Sequence, residues 1–564
     1  MRRLLLPVPL LLLLATASAD DILVITTDDL APALKDWREH REKQGMRVVV
    51  KPPAADLREE VKGAGGPKYV LILGDVRRVP CSYAEANTIR IWERDTRIAT
   101  DNAIADLDGD GLPDIAVGRI PADTPEEAAA MLGKVVSYET SRDFGTWRRR
   151  VNVVAGIAGF GKVEDALIEN ASTMLLKREI PAAYDLHVTW ANPPSPFCPP
   201  PAAVADTVVE RFSEGALFVT YMGHGSPRSL DRVRWGGRVY PIFDEDHVGA
   251  LAARHGAPIA YLCCCSTGHF DGEPDCLAEF LLKQPGGPVA VIASSRVSMP
   301  YSNGVLSKEM LGAIFREDAA TVGDMLRIAK RRLIRPREGD KLREIVDGFG
   351  ATWKQGDVKY LDTERREHLS LYNLMGDPSM RLPREGDVAV TCAESAAVGG
   401  RIAVEGKCTV EGEALVELVL ERTADVPERT GSSDADFAAC YARANAWVKA
   451  EARVPCKGGA FRAELAVPAD AAPGAYFVRA YVTGPDAAAL GARAIAVKAA
   501  PRAVERVLLL DDSGLIDGWM DAKGRFTPRK DAPRASWSLT GPRIVTKKDV
   551  KEILEPSASP PQGE

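Results

Sequence analysis

A series of short apolar, β-branched runs limits what this chain can fold into more than any other feature. They occupy residues 22–26, 46–50, 69–73, 151–155, 217–221, 259–262 and 288–293, and most stop at a glycine or another small residue. Runs of this length without polar alternation read as strands buried on both faces. Helical stretches separate them. Residues 30–44 carry Leu30, Leu34 and Trp37 on one stripe and end at Gly45, and Thr124-Pro125-Glu126-Glu127 supplies a capping threonine, a first-turn proline and two acids. Further helices are predicted over 164–176, 275–282 and 307–335. Strand and helix in alternation predict an α/β fold with a largely parallel sheet, and the pattern ends near residue 378.

From residue 387 the texture changes. Short alternating stretches at 401–404, 414–419, 461–465 and 476–480 lie between Gly, Pro and Asp turns, as in a small all-β immunoglobulin-like sandwich. Residues 501–564 mix one strand-like run, 507–510, with Lys, Pro and Ser, and 556–564 reads as disordered.

The first 19 residues have the form of a signal peptide. Arg2 and Arg3 precede an apolar stretch over 4–15, and Ala17-Ser18-Ala19 offers a cleavage site before Asp20. That stretch is too short for a spanning helix, which needs about 20 apolar residues. A secreted or cell-envelope protein is expected. Lys+Arg 72 against Asp+Glu 79 leaves a net charge of -7 with no basic run, which argues against nucleic acid as a partner.

An exported chain gives its 10 cysteines an oxidising setting. Cys392, Cys408, Cys440 and Cys456 can form two bridges by any of three pairings. Cys263, Cys264, Cys265 and Cys276 cluster elsewhere. On a strand, Cys263 and Cys265 share a direction and Cys264 opposes them. A structural zinc site would want wider ligand spacing and a second ligand pair.

His224, in Gly223-His224-Gly225, closes the run at 217–221, and Cys265 closes the run at 259–262. Two buried strands that finish side by side would bring imidazole and thiol to one rim of the sheet. A thiolate nucleophile and its partner base need that geometry. The flanking glycines leave backbone N–H groups accessible to an oxyanion. Alone, His224 reads as a hydrogen-bonded turn residue and Cys265 as a core or bridged thiol; the pair is more specific than either. The order His then Cys disfavours the papain-like class.

Asp106, Asp108, Asp110 and Asp114 stand at positions 1, 3, 5 and 9 of a loop with Gly111 at position 6, following the Ca²⁺-loop rule. Position 12 is Val117, so this is not an EF-hand. A bound Ca²⁺ would be structural, and a solvated Asp/Gly turn is the plainer reading.

The motifs in order resemble the gingipain-type cysteine peptidases of the caspase-like clan. They are Gly223-His224-Gly225-Ser226, Cys265-Ser-Thr-Gly-His-Phe270, Cys276-Leu-Ala-Glu279 and Val289-Ala-Val-Ile-Ala-Ser294, with Val117-Gly-Arg-Ile-Pro121, Tyr138-Glu139 and Met375-Gly-Asp-Pro-Ser379 around them. The resemblance covers most of residues 21–384. It implies Cys265 as nucleophile, His224 as general acid/base, and the N–H groups of Gly225 and Cys265 as oxyanion donors, with no cofactor for catalysis and with protein or peptide substrates. It implies Asp165 as a pocket carboxylate for Arg or Lys, although a first-turn acid favoured by the helix dipole explains the same residue. Tyr301, in the pocket-wall segment 296–301, is a substrate-binding candidate; this segment lacks the tryptophan of Arg-specific relatives. The loop at 157–161 has no carboxylate to assist His224, so a dyad is expected, and His269 is a weaker second base.

The expected organisation is thus a signal peptide (1–19), an N-terminal α/β sub-domain (20–147), a caspase-like catalytic sub-domain (148–384), a sandwich (385–500) and an extension (501–564). The expected function is a secreted cysteine endopeptidase working through an acyl-thioester, with basic residues as the implied preference. The competing expectations are an inactive gingipain-like binding or envelope-assembly protein and a thiolate metal site over 263–276.

Overall fold

The computed structural model describes residues 21–499 apart from 90–95, 158, 160–175, 354–357 and 423–427, and beyond them four short strands between Arg506 and Thr546. The signal-like segment, the helix expected at 164–176 and the tail at 556–564 lie outside the described residues or almost entirely so.

Ten strands build one sheet: β1 (Asp21–Thr26), β2 (Arg47–Lys51), β3 (Tyr69–Leu73), β4 (Ala116–Ile120), β5 (Arg150–Ala155), β6 (Asp185–Trp190), β7 (Phe218–Met222), β8 (Ile259–Cys263), β9 (Ala290–Ser294) and β10 (Tyr372–Met375). Their order is β2-β1-β3-β4-β10-β9-β8-β7-β5-β6. Every residue of β3, β8 and β9 is buried, which is why their sequences are apolar runs, broken only by Ser294 at the end of β9. β10 pairs parallel with β4 and antiparallel with β9. The sheet is therefore two parallel halves of opposite sense, and the carboxyl ends of β7, β8 and β9 share a rim with the amino ends of β4 and β10.

Helices cover the sheet: α1 (Lys35–Lys43), α2 (Pro125–Thr140), α3 (Leu277–Lys283), α4 (Pro300–Phe315), α5 (Val322–Ile334) and α6 (Val358–Leu371). Thr124 caps α2 by accepting the Glu127 N–H. The helical stretch expected at 30–44 begins as a 3-10 turn, Ala31–Leu34, before α1. The stretch expected at 307–335 is two helices, α4 and α5, and α4 starts earlier, at Pro300.

A buried ion network ties the first and last motifs of this region together. Arg41 of α1, fully buried, donates to Asp377 and to Glu139, each at 2.6 Å, and Trp37 Nε1 donates to the same Asp377 carboxylate at 2.6 Å. Ser379 donates its N–H and its hydroxyl to the other Asp377 oxygen. Burial by itself would raise the Asp377 pKa; the Arg41 guanidinium and these donors hold it below the ordinary value. Glu139 and Asp377 belong to motifs quoted above, and their physical job is to satisfy one buried guanidinium.

The C-terminal region is a two-sheet β-sandwich of β11 (Ala389–Cys392), β12 (Arg401–Lys407), β13 (Gly412–Leu420), β14 (Val448–Cys456), β15 (Ala460–Ala466), β16 (Gly474–Thr483) and β17 (Ala488–Lys498). One sheet is β11-β12-β15 and the other contains β17-β16-β13-β14; Ile402, Phe461, Val416 and Val478 meet in the core between them. Between β13 and β14 lies α7 (Asp434–Ala444). Just beyond it, Asn445 accepts the Val188 N–H and donates to the Val188 carbonyl, covering the exposed edge of the large sheet at β6. Arg149 and Arg479 share Glu417 across the same junction, each at 2.8 Å. None of the 10 cysteines is joined in a disulfide, and of the four in the C-terminal region Cys408 and Cys456 have sulfurs 3.8 Å apart.

Removing the acceptor at the centre of the first network strands a buried cation and an indole N–H. Asp377→Ala is expected to lower unfolding free energy by about 3–5 kcal/mol in urea titration. A loss below about 1 kcal/mol would mean that the network does not hold α1 to the sheet.

Candidate active site

β7 and β8 are adjacent and parallel, with Met222 paired to Cys263. His224 and Cys265 each lie two residues beyond that rung, so both leave the sheet at the same rim and the same level. The Tyr221 hydroxyl shapes the first exit: it donates to the His224 carbonyl at 2.8 Å and accepts the Asp231 N–H at 3.3 Å. This hydroxyl is fully buried, and burial pushes its pKa well above 10, so it keeps its proton. Gly156 and Gly223 leave room for it, since a Cβ on either would stand 2.9 or 2.5 Å from the oxygen.

The second exit is a tight turn. Cys265 is followed by Ser266 at φ 55°, a left-handed conformation unusual outside glycine. The Ser266 N–H donates to the Arg296 carbonyl and the Gly268 N–H to the Ser294 carbonyl, both at 2.9 Å. The two exits touch at Gly225: a Cβ there would lie 2.7 Å from both Cys264 Sγ and the Cys265 carbonyl oxygen. That contact is the physical reason for the second glycine of Gly-His-Gly.

α3 holds both loops from one side. Its first N–H groups are spent on them: Leu277 donates to the Pro227 carbonyl at 2.7 Å, and Ala278 to the Thr267 carbonyl at 3.0 Å. Glu279 completes the cap by accepting the Cys276 N–H at 2.8 Å. The Cys-x-Ala-Glu motif is thus a clamp on the His224 and Cys265 loops.

Three consecutive thiols receive different surroundings. Cys263 and Cys264 are buried, and burial raises both pKa values, that of Cys264 well above the ordinary range. Cys265 is partly exposed. Its sulfur lies 3.4 Å from the Ser298 N–H nitrogen and 3.6 Å from the Ser298 carbonyl oxygen. The His224 side chain is exposed and reaches the loop after β5, with Nε2 3.3 Å from a Cβ placed on Gly159. Imidazole and sulfur therefore extend from neighbouring strand ends toward opposite flanking loops.

The remaining candidates divide. Asp165 lies outside the described residues. Tyr301 is partly buried in the first turn of α4; its hydroxyl donates to Asp347 and accepts from Arg365, both at 2.7 Å. His269 Nε2 stands 3.5 Å from Asp271, which Arg296 grips with two hydrogen bonds at 2.8 and 2.7 Å. Burial would raise the Asp271 pKa, but Arg296 holds it below the ordinary value. Of the acidic loop, Asp106, Asp108 and Asp114 each present an oxygen within 4.8 Å of the others. The set brought together is three carboxylates and not the four expected: Asp110 lies outside it and meets Arg335 at 2.9 Å, while Asp106 and Asp114 within it also meet Arg58 at 3.4 Å and Arg331 at 3.2 Å. Tyr221, Ser298 and the Asp271–Arg296 pair carry structural roles here that sequence reading did not assign; the partners of Ser298 and Arg296 lie 33 and 25 residues away, and that of Tyr221 depends on the sharp turn at Gly223.

A thiol and an imidazole leaving one rim of a mostly parallel sheet are groups that cysteine-based acyl transfer can use. The model of peptidase family C25 matches residues 15–383, and the chain belongs to that family. It is 23% identical over 304 residues to gingipain R2 of Porphyromonas gingivalis, covering 49% of this chain and 36% of that protein. It is 28% identical over 250 residues to an uncharacterized protein of Archaeoglobus fulgidus, covering 40% of this chain and 55% of that one. The match thus spans about a third of the gingipain's length. Among solved structures, that of the Arg-specific cysteine proteinase gingipain R aligns over 85% of this chain and 98% of its own, with 18% identity and a TM-score of 0.49.

The α3 clamp has a pH signature. Burial raises the Glu279 carboxyl from 4.5 to about 7. Its neutral form is favoured in the fold, so stability is full below the unfolded value and declines as pH rises toward about 7. The loss there is about 3 kcal/mol, at ~1.4 kcal/mol per pKa unit. Glu279→Gln is expected to stabilise the protein at pH 8 and change little at pH 4, read by denaturant melts at both. Equal effects at the two values would contradict a buried neutral carboxyl.

Proposed function

We propose that this chain is an exported cysteine endopeptidase acting through a His224–Cys265 dyad. One observation carries the reading: both residues sit two positions past paired residues of adjacent parallel strands, and Cys265 alone of the three consecutive thiols reaches solvent. A peptide carbonyl entering between the two strand ends would meet the sulfur on one side and the imidazole on the other. The Cys265 thiolate attacks the carbonyl carbon, and the oxyanion takes hydrogen bonds from the Gly225 and Cys265 N–H groups. As the C–N bond breaks, protonated His224 gives its proton to the leaving amine. His224 then takes a proton from water, whose oxygen attacks the acyl-thioester, releasing the acid and restoring the thiolate.

The proposed preference for basic residues rests on Asp165, the carboxylate that the sequence resemblance assigns to the primary pocket. Export rests on the form of residues 1–19; no helix among the described residues is long and apolar enough to cross a membrane. The sandwich is read as immunoglobulin-like from its two facing sheets.

A panel of fluorogenic Arg, Lys and Asn peptides tests the assignment. Cleavage is expected, reduced about 10³-fold or more by Cys265→Ala and about 10²–10⁴-fold by His224→Ala. The missing carboxylate at 157–161 favours the second reading, an inactive binding or envelope-assembly protein. Absence of turnover on every peptide, in protein that melts cooperatively, would establish that reading and sink the first.

We also propose that Asp106, Asp108 and Asp114 hold a structural Ca²⁺. Gly109 and Gly111, at φ 86° and 82°, let the loop close, and Leu112 anchors it on Val305 of α4 and Leu333 of α5. Hard carboxylate oxygens suit this ion. Adding Ca²⁺ at a hundredfold over its dissociation constant is expected to stabilise the fold by about 2.7 kcal/mol, and EDTA to reverse it. A Ca²⁺ response that survives Asp108→Ala, or its absence in the unaltered protein, would contradict this.

A further inference from the structure

α4 begins where the nucleophile ends. Met299 is its N-cap, Pro300 its first residue, and Ser298 immediately precedes it. The Ser298 N–H nitrogen is 3.4 Å from Cys265 Sγ, and the Ser298 carbonyl oxygen is 3.6 Å from it. One residue thus offers an acceptor to the S–H of the thiol and a donor to the thiolate. A 16-residue helix starting at this point adds the positive end of its dipole.

What distinguishes this contact from a passing turn is how firmly Ser298 is held from below. Its hydroxyl, 5% exposed with the rest of the residue, accepts from Asn303 Nδ2 at 2.9 Å and lies 3.3 Å from the Tyr372 hydroxyl. Tyr372 in turn donates to Asn303 Oδ1 at 2.7 Å, closing a buried ring of three polar side chains. The next N–H, of Met299, donates to His368 Nε2 at 3.1 Å, while His368 Nδ1 bonds the Glu364 carbonyl at 2.8 Å. Burial lowers the His368 pKa to about 4, so the ring is neutral and Nε2 is free of a proton to accept that bond. Glu364 also accepts the Ser302 N–H at 3.0 Å. α6 and β10 therefore set the start of α4 against the Cys265 sulfur.

We propose that Ser298 is a positioning residue for the nucleophile: its main-chain N–H, locked by the Asn303–Tyr372 ring and by His368, stabilises the Cys265 thiolate. This rests on the reading of Cys265 as nucleophile and deepens it. When the thiol ionises, its proton passes to His224 or to water, and the sulfur exchanges the Ser298 carbonyl for the Ser298 N–H. Among the described residues, the titratable and charged groups facing this region are Tyr221 and His224 on β7 and its loop, Cys263 and Cys264 beside the nucleophile, His269 and Asp271 on the Cys265 loop, Arg296 after β9, Glu364 and His368 on α6, and Tyr372 on β10. Ser298→Ala and Asn303→Ala leave all of them in place.

The test is the pH profile of Cys265 alkylation by iodoacetamide in the full chain, read by mass spectrometry of the peptide that carries it. Ser298→Ala and Asn303→Ala each loosen the anchor while keeping the N–H. Each is expected to raise the midpoint of the profile by about one pH unit, as loss of a local donor to a thiolate does. The double variant is expected to move no further than the larger single shift, because both act through one contact. Tyr372→Phe, which deletes one hydroxyl, takes the place of either variant that fails to fold, with the same direction expected. Midpoints coincident with that of the unaltered protein, or shifts that add in the double variant, would overturn the proposal. Peptide cleavage separates this from the peptidase reading. A shifted midpoint without turnover in the unaltered protein supports the thiolate contact and rejects the enzyme, and turnover with unshifted midpoints does the reverse.

Discussion

The parallel register of β7 against β8 is the constraint on which the candidate site depends. Pairing Met222 with Cys263 sends His224 and Cys265 out of the sheet at one level. A slip of one residue would turn the slipped strand's side chains to the opposite face, and since every residue of β8 is buried, large ones such as Tyr261 would have to repack against the other layer of helices. The rim is then fixed by three separate devices: the Tyr221 hydroxyl under the His224 loop, the α3 N–H groups holding both loops, and the Gly225 contact with Cys264 and Cys265.

The reversal of sheet direction at β10 explains why distant parts of the chain meet at this rim. β10 enters the sheet directly after α6, so the amino end of β10 and the last turn of α6 lie beside the carboxyl end of β9. Ser295, just past β9, donates its N–H to the Leu371 carbonyl and its hydroxyl to the Ala99 carbonyl, joining the two halves of the sheet beside Arg296 and Ser298. The acidic loop precedes β4 and shares the rim, with Leu112 against α4. An ion held by that loop would steady the helix whose start faces the nucleophile.

Much of this was legible in sequence where one kind of force dominates. Residues 69–73 read as a buried strand because all five are apolar or aromatic with no polar alternation, and they form β3 at those bounds. Thr124 was legible as a cap because its partner is three residues away. The edge strand β6 was missed because its polar positions, Asp185, His187 and Thr189, dilute the apolar signal. α7 was missed because it interrupts an otherwise β-rich stretch. The roles of Ser298 and His368 were not legible either, since they arise from partners 33 and 69 residues away. The four carboxylates of the acidic loop followed a spacing rule, yet only three of them converge, and Asp110 pairs instead with Arg335, 225 residues on. Local patterns declare elements, and tertiary pairing assigns the work of individual polar groups.

The central claim is that sulfur and imidazole at these two strand ends serve one bound peptide. Intact-mass analysis after treatment with a peptidyl chloromethyl ketone bearing Arg or Lys tests it most directly. A single adduct on Cys265 is expected, formed far faster than with a simple haloacetamide and slowed when His224 is replaced by Ala. An adduct on another residue, or none while iodoacetamide still labels Cys265, would contradict it.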